Sequence, residues 1–338
     1  MREQALPPGE AIDDLADDPL IRPHKPPWRR LLGRGIAIAL ALAVGWLVVD
    51  RARKVDWSAV WQVLLGYPVT TLLAALAFAS AAHLTYATYD LLARRYLDHQ
   101  IPPLKVVGVG LVSYAFNLNL GALVGGFAFR WRLYSRLGLT SMEAGRVFML
   151  SLLTNWSGYM VLAGVLLATR SFEPPAQLGL DPELAQLAGI AMLAVTLLYV
   201  LWCATARRRQ LHWRGREFEL PTGRLALEQV ALSVLHWALT GAVIWTLMPG
   251  HVPYGTVFGT LLCAAVAGVA LHVPGGLGVI EAVFIATLGD RVPEGQLIAA
   301  LLAYRAAFYL LPLAGATAMH FGLEAMARRH RLRAGSPR

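Results

Sequence analysis

Six stretches of the chain, near 33–50, 69–92, 146–169, 185–205, 225–247 and 297–323, are each long and apolar enough to cross a bilayer as a helix. In lipid, every backbone N–H and C=O must be satisfied within its own element, so sequences of this kind fold as bundles of transmembrane helices. Only 15% of the residues are charged, against about 25% for a soluble domain. The expected fold class is therefore an all-α polytopic membrane protein.

Two further apolar regions, 105–129 and 255–289, depart from this pattern because glycine breaks both internally. The first contains Asn117, Asn119, Gly121, Gly125 and Gly126; the second contains His272, Pro274, Gly275, Gly276 and Gly278. Short basic loops fix the expected orientation. Arg22, Lys25, Arg29, Arg30 and Arg34 hold the N-terminus in the cytoplasm. Arg94, Arg95 and Lys105, then Arg130, Arg132, Arg136 and Arg146, then Arg207–Arg209, Arg214, Arg216 and Arg224, and finally Arg328, Arg329, Arg331 and Arg333, mark further cytoplasmic segments. The loop 51–68, with Arg51, Arg53 and Lys54, fits this rule least well. On this assignment 105–129 begins and ends inside and 255–289 begins and ends outside, so each turns back within the membrane. Glycine permits the positive φ and the close packing that such turns require, with Gly125, Gly126, Pro274, Gly275, Gly276 and Gly278 expected at the turns.

The chain then reads as six full spans plus two glycine-broken hairpins, in two halves of like order at about 31–170 and 184–325. The first half starts inside and the second outside, the arrangement of an inverted repeat whose substrate site lies at paired broken helices. The plainer alternative is eight or more ordinary helices. Residues 31–325 form one transmembrane domain on this reading. Residues 1–30, with Asp13, Asp14, Asp17 and Asp18 followed by Pro23, Pro26 and Pro27, read as a disordered tail, and 326–338 as a basic tail. The first apolar run reads as a signal anchor, since no cleavage site accompanies it.

The net charge of +9 does not point to nucleic acid, because the basic residues lie in short runs between spans. Cys203 and Cys263 both lie in apolar segments and read as small buried hydrophobes. A phosphate loop, a His/Cys cluster with zinc spacing, a nucleophile elbow and H-E-x-x-H are all missing, so neither a cofactor nor a metal is implied and the chain reads as a non-enzyme.

Ionisable groups at membrane depth are the candidates for function, since each is costly there. Glu281 follows the glycine turn at the start of an apolar half-helix, where it either engages a cation or proton or merely complements the helix dipole. Arg305, beside Tyr304, lies about two turns into the last span. It is placed either to grip a phosphate bidentately or to pair structurally with Glu281. His236 and His83 sit within spans as interhelical contacts or proton relays. Asn117, Asn119 and Asn155 act as polar glue or line a cavity. Arg130, Arg132 and Arg136, with Trp131 and Tyr134, are expected at the surface where the first hairpin ends, as an orientation signal or as a basic vestibule for anionic headgroups.

Several runs carry a resemblance: Tyr114-Ala115-Phe116-Asn117-Leu118-Asn119, Arg130-Trp131-Arg132-Leu133-Tyr134, Thr154-Asn155-Trp156, His272 to Phe284, and Ala300 to Arg305. Over about 30–325 the chain resembles the transmembrane domain family of lysylphosphatidylglycerol synthases, the flippase half of those proteins, chiefly through the glycine turn, Glu281 and Arg305. The resemblance implies a fold suited to moving or binding phospholipid in the bacterial inner membrane. It implies no aminoacylation, because the chain stops soon after the last span. The leading expectation is a translocase for an anionic phospholipid or polyprenyl-type lipid, with Arg305, Arg130 and Arg132 on phosphate and Glu281 as gate. The rivals are a proton- or ion-coupled solute transporter using Glu281, His236 and His83, and a non-transporting partner of phospholipid-synthesis enzymes.

Overall fold

A computed structural model describes residues 56–174, 179, 181–207, 209–213 and 216–319. The expected span at 33–50, both tails and Arg208 and Arg214 lie outside the described residues.

Five helices among the described residues are long and apolar enough to cross a membrane: Val69–Leu97, Ser141–Ala168, Pro182–Thr205, Gly223–Leu247 and Glu294–Met319. They coincide with five of the six expected spans. A short helix α1 (Trp57–Leu65) precedes them, its first N–H groups capped by the Asp56 carboxylate, which accepts from Ser58 and Ala59. The first span bends into α2 (Val69–Ala87) and α3 (Tyr89–Leu97) at Thr88. There the threonine hydroxyl donates to the Thr85 carbonyl at 2.6 Å and competes with the helical ladder.

Between the first two spans lies a helical hairpin. Its arms are α4 (Pro103–Leu120) and a π-wound turn Ala122–Ala128 that runs on into α5 (Phe129–Arg136). The spans α6 (Ser141–Ala168) and α7 (Pro182–Thr205) follow. The α6 helix opens on a capping box in which Thr140 and Glu143 satisfy each other's backbone N–H, and Pro182 fills the first position of α7 behind the Asp181 cap. A two-stranded antiparallel hairpin, β1 (Gln210–Trp213) and β2 (Arg216–Glu219), then leads to α8 (Gly223–Leu247). The basic run 207–224 gave no sign of this strand pair. Beyond α8, α9 (Tyr254–Ala270) and α10 (Val279–Leu288) form a second hairpin. The chain ends its described course in α11 (Glu294–Arg305), which passes through a π-wound segment Ala306–Leu310 and continues to Met319.

The core forms where α2, α4, α8, α10 and α11 meet. Tyr86, Tyr114, Phe284, Leu297, Tyr304 and Phe308 are buried together there. Lipid is as apolar as leucine, so close backbone approach and interhelical hydrogen bonds hold such helices together. A Cβ on Gly158 of α6 would lie 2.4 Å from the backbone of Ser233 in α8. The Ser233 hydroxyl accepts from the Gly158 N–H at 3.1 Å and donates to the Asn155 carbonyl at 2.8 Å. Gly158→Val is expected to force these helices apart at a cost of about 3 kcal/mol or more, seen as loss of the monodisperse peak in size-exclusion chromatography.

Candidate functional site

The two hairpins meet at their tips. In the first, the chain reverses at Gly121, whose φ of 83° is open to glycine at no steric cost. The turn was expected at Gly125 and Gly126. Both instead lie in the returning arm, where they let it press on α4. A Cβ on Gly125 would stand 2.0 Å from the Phe116 carbonyl oxygen, and one on Gly126 2.9 Å from Asn117 Oδ1. In the second hairpin the turn falls where expected, with Gly275, Gly276 and Gly278 at φ of 65°, 57° and 77°. The Cα of Gly275 points at the first tip, so that a Cβ there would lie 3.4 Å from the Leu118 carbonyl oxygen.

Arg305 pins the second tip. Its Nε donates to Glu281 Oε1 at 2.5 Å and its Nη2 to Glu281 Oε2 at 2.9 Å, a bidentate pair. Nη1 donates to the Gly275 carbonyl and Nη2 to the Gly276 carbonyl, each at 3.0 Å. One guanidinium thus joins three partners of the tip: the Gly275 and Gly276 carbonyls of the short 3-10 turn Pro274–Gly276, and the Glu281 carboxylate beyond it. The side chains of Arg305 and Glu281 stay 12% and 24% exposed, so the pair is shielded but reachable. Arg305 also lies over the Tyr309 ring, 5.4 Å from its centroid. The π-winding after Arg305 leaves the Tyr309 carbonyl able to accept from Asn119 Nδ2 at 3.4 Å, and the same amide donates to Ala115 at 2.8 Å. Asn119 therefore ties the first tip to α11. Both tips converge on the turn of α11 that carries Arg305.

The other expected residues lie elsewhere. Arg130 is not at the surface: its side chain is fully buried and holds Asp90 of α3 through Nε and Nη2 at 3.2 Å. Tyr134 and Ser151 donate their hydroxyls to the same carboxylate at 2.9 and 2.8 Å. The physical reason is Asp90, a second buried charge that the arginine must neutralise. Arg132 does face outward. Tyr304 is buried with its ring stacked on Phe308. Asn117 packs against Gly126, and the Asn155 carbonyl accepts from Ser233 and the Trp237 indole.

His236 donates Nδ1–H to the Ala82 carbonyl at 3.0 Å, and its Nε2 meets the Tyr114 hydroxyl at 3.1 Å. His83 donates to Ala79, with its ring between Tyr114 and Phe308. Both histidines belong to the aromatic core behind the tips. Tyr134, expected at the surface, is instead buried against Asp90, and Asp90 and Ser151 are the polar residues that sequence reasoning missed. Asp90 carried a usable signal, a carboxylate inside an apolar span.

These features define a class: a multi-pass helical membrane protein with two broken hairpins set tip to tip beside an ion pair. The chain belongs to the family described as the lysylphosphatidylglycerol synthase TM region, whose profile matches residues 35–316. It is 41% identical over 307 residues to the inner membrane protein YbhN of Escherichia coli K12, a match spanning 90% of this chain and 96% of that protein. It is 30% identical over 284 residues to slr0712 of Synechocystis, spanning 83% and 88% of the two chains. Phosphatidylglycerol lysyltransferase of Staphylococcus haemolyticus is 23% identical over 241 residues, which are 69% of this chain but 27% of that longer enzyme.

Proposed function

We propose that the protein moves an anionic phospholipid between the leaflets of the inner membrane, its headgroup passing between the two hairpin tips while the acyl chains stay in the bilayer. The observation that carries this reading is the Arg305 fork. A phosphodiester presents the same pair of oxygens that Glu281 now offers, so a headgroup can replace the carboxylate with no loss of charge pairing. The exchange frees Glu281 to accept a proton or turn to the aqueous side. It also weakens the hold of Arg305 on the Gly275 and Gly276 carbonyls, so the tip loosens only when a headgroup is present.

The described residues of the first half run span, hairpin, span, and those of the second run two spans, hairpin, span, the order expected of both halves once the apolar stretch at 33–50 is counted. On the inside-positive assignment these halves are inverted, which gives the two hairpins access from opposite faces. Both termini are cytoplasmic in this arrangement. The family match and the phosphatidylglycerol in one relative's name support a lipid as cargo.

The test is a liposome assay with fluorescent phosphatidylglycerol and phosphatidylcholine, read by accessibility to dithionite. Phosphatidylglycerol is expected to exchange faster in protein-bearing vesicles than in empty ones, and Glu281→Gln to slow it. Exchange no faster than in empty vesicles, with the protein shown to be folded, would overturn the proposal and favour a role as a partner of phospholipid-synthesis enzymes.

A further inference from the structure

A separate cleft of about 360 Å³ opens at the base of the first hairpin, where the loop from α3 to α4 faces the loop from α5 to α6. It lies the length of α4 from the tips, about 27 Å for 18 residues. His99, Ile101, Lys105, Leu137, Gly138 and Leu139 line it. The backbone that shapes it is held in place. Asp98 and Gly138 turn through φ of 51° and 96°, and Arg94 Nε donates to the Ile101 carbonyl at 2.7 Å.

His99 is the unexplained member. The residue is only 8% exposed, and both ring nitrogens are closed off from solvent with no hydrogen-bond partner among the described residues, so a ligand in the cleft reaches them when the ring turns toward it. A buried imidazole with both nitrogens idle is costly, and in a packed protein such groups are otherwise satisfied. Lys105 is exposed at the same cleft, and next to it Leu104 is 84% exposed. An orphaned imidazole, an ammonium group and an adjoining apolar ledge match one kind of ligand: a phosphate oxyanion attached to acyl chains.

We infer that this cleft binds the phosphate of an anionic lipid headgroup through His99 and Lys105, as a site distinct from the Arg305 pair. The binding does not depend on whether the protein carries lipid across the membrane. The charged groups around His99 are Arg94 and Asp90 of α3, Lys105 of α4 and Glu143 at the start of α6, and Asp90 is already committed to Arg130. Burial, then Arg94, holds the empty imidazole below its usual value of 6.5. A bound phosphate favours the protonated ring, so binding takes up a proton and tightens as the pH falls.

The experiment is a scintillation-proximity titration of the immobilised full chain in detergent with tritiated phosphatidylglycerol at pH 6 and pH 8. It is run in wild type and in Arg305→Ala, so that lipid held at the tips is counted separately. In both backgrounds a component about fivefold tighter at pH 6 is expected. Lys105→Ala should weaken it about tenfold. His99→Gln should weaken it similarly and flatten its pH dependence. Unaltered phosphatidylglycerol binding in both Lys105→Ala and His99→Gln would overturn the site. Displacement of the label by inorganic phosphate as effectively as by unlabelled phosphatidylglycerol would overturn the lipid as its ligand.

Discussion

Arg305→Ala is expected to give a folded protein whose phosphatidylglycerol exchange falls about tenfold to a hundredfold, toward that of empty vesicles. That range corresponds to the loss of one or two charge-assisted hydrogen bonds to the migrating phosphate. The fold is expected to survive because the pair is partly exposed, so that the abandoned Glu281 can protonate or reach a polar medium. Arg305→Lys separates charge from geometry. An ammonium keeps the charge but cannot bridge two oxygens and two carbonyls in one plane, so exchange is expected to stay well below wild type. Thermal unfolding followed by tryptophan fluorescence checks the other half of the prediction. A midpoint that collapses in both variants would mean that the Arg305–Glu281 pair is structural.

Arg130→Ala is expected to act in the opposite way. The Asp90–Arg130 pair is fully enclosed, and Tyr134 and Ser151 complete the shell of the carboxylate. Removing the arginine strands a buried anion, at a cost of about 3–5 kcal/mol, comparable to the whole stability of many domains. Little folded protein should be recovered from the membrane. Replacing both partners, as in Asp90→Asn with Arg130→Gln, removes the uncompensated charge and is expected to restore much of the yield. A double variant no better than the single one would show that packing around the pair, and not its charge, holds α3 to α5. The two arginines thus differ by exposure: one closes a core, and the other sits where a ligand can compete.

Much of this division was legible in the sequence. Long apolar runs report transmembrane helices directly, because lipid leaves the backbone no other open-ended solution. Glu281 and Arg305 stood out because charge at depth needs a reason, and the pairing with Glu281 offered as one reading of Arg305 is the contact observed. What stayed hidden depended on contacts distant in the chain. Asp90 meets Arg130 across 40 positions, so neither residue alone announces that the arginine points inward. The turn at Gly121 was displaced in the reading to Gly125 and Gly126 because glycine serves both reversals and close helix contacts, and only packing against Phe116 separates the two uses. The meeting of the tips, with Gly275 against Leu118 and Asn119 reaching Tyr309, links segments more than 150 residues apart and leaves no local trace.

The central claim is that the tips part when an anionic headgroup competes for Arg305. Spin labels at Leu120 and Leu277, exposed positions beside the two tips, report this by pulsed electron resonance in nanodiscs. In phosphatidylcholine alone a single short distance is expected. Adding phosphatidylglycerol should bring in a second, longer population that Arg305→Ala makes independent of the lipid. One narrow distribution, identical in both lipids and unchanged by the substitution, would contradict the account.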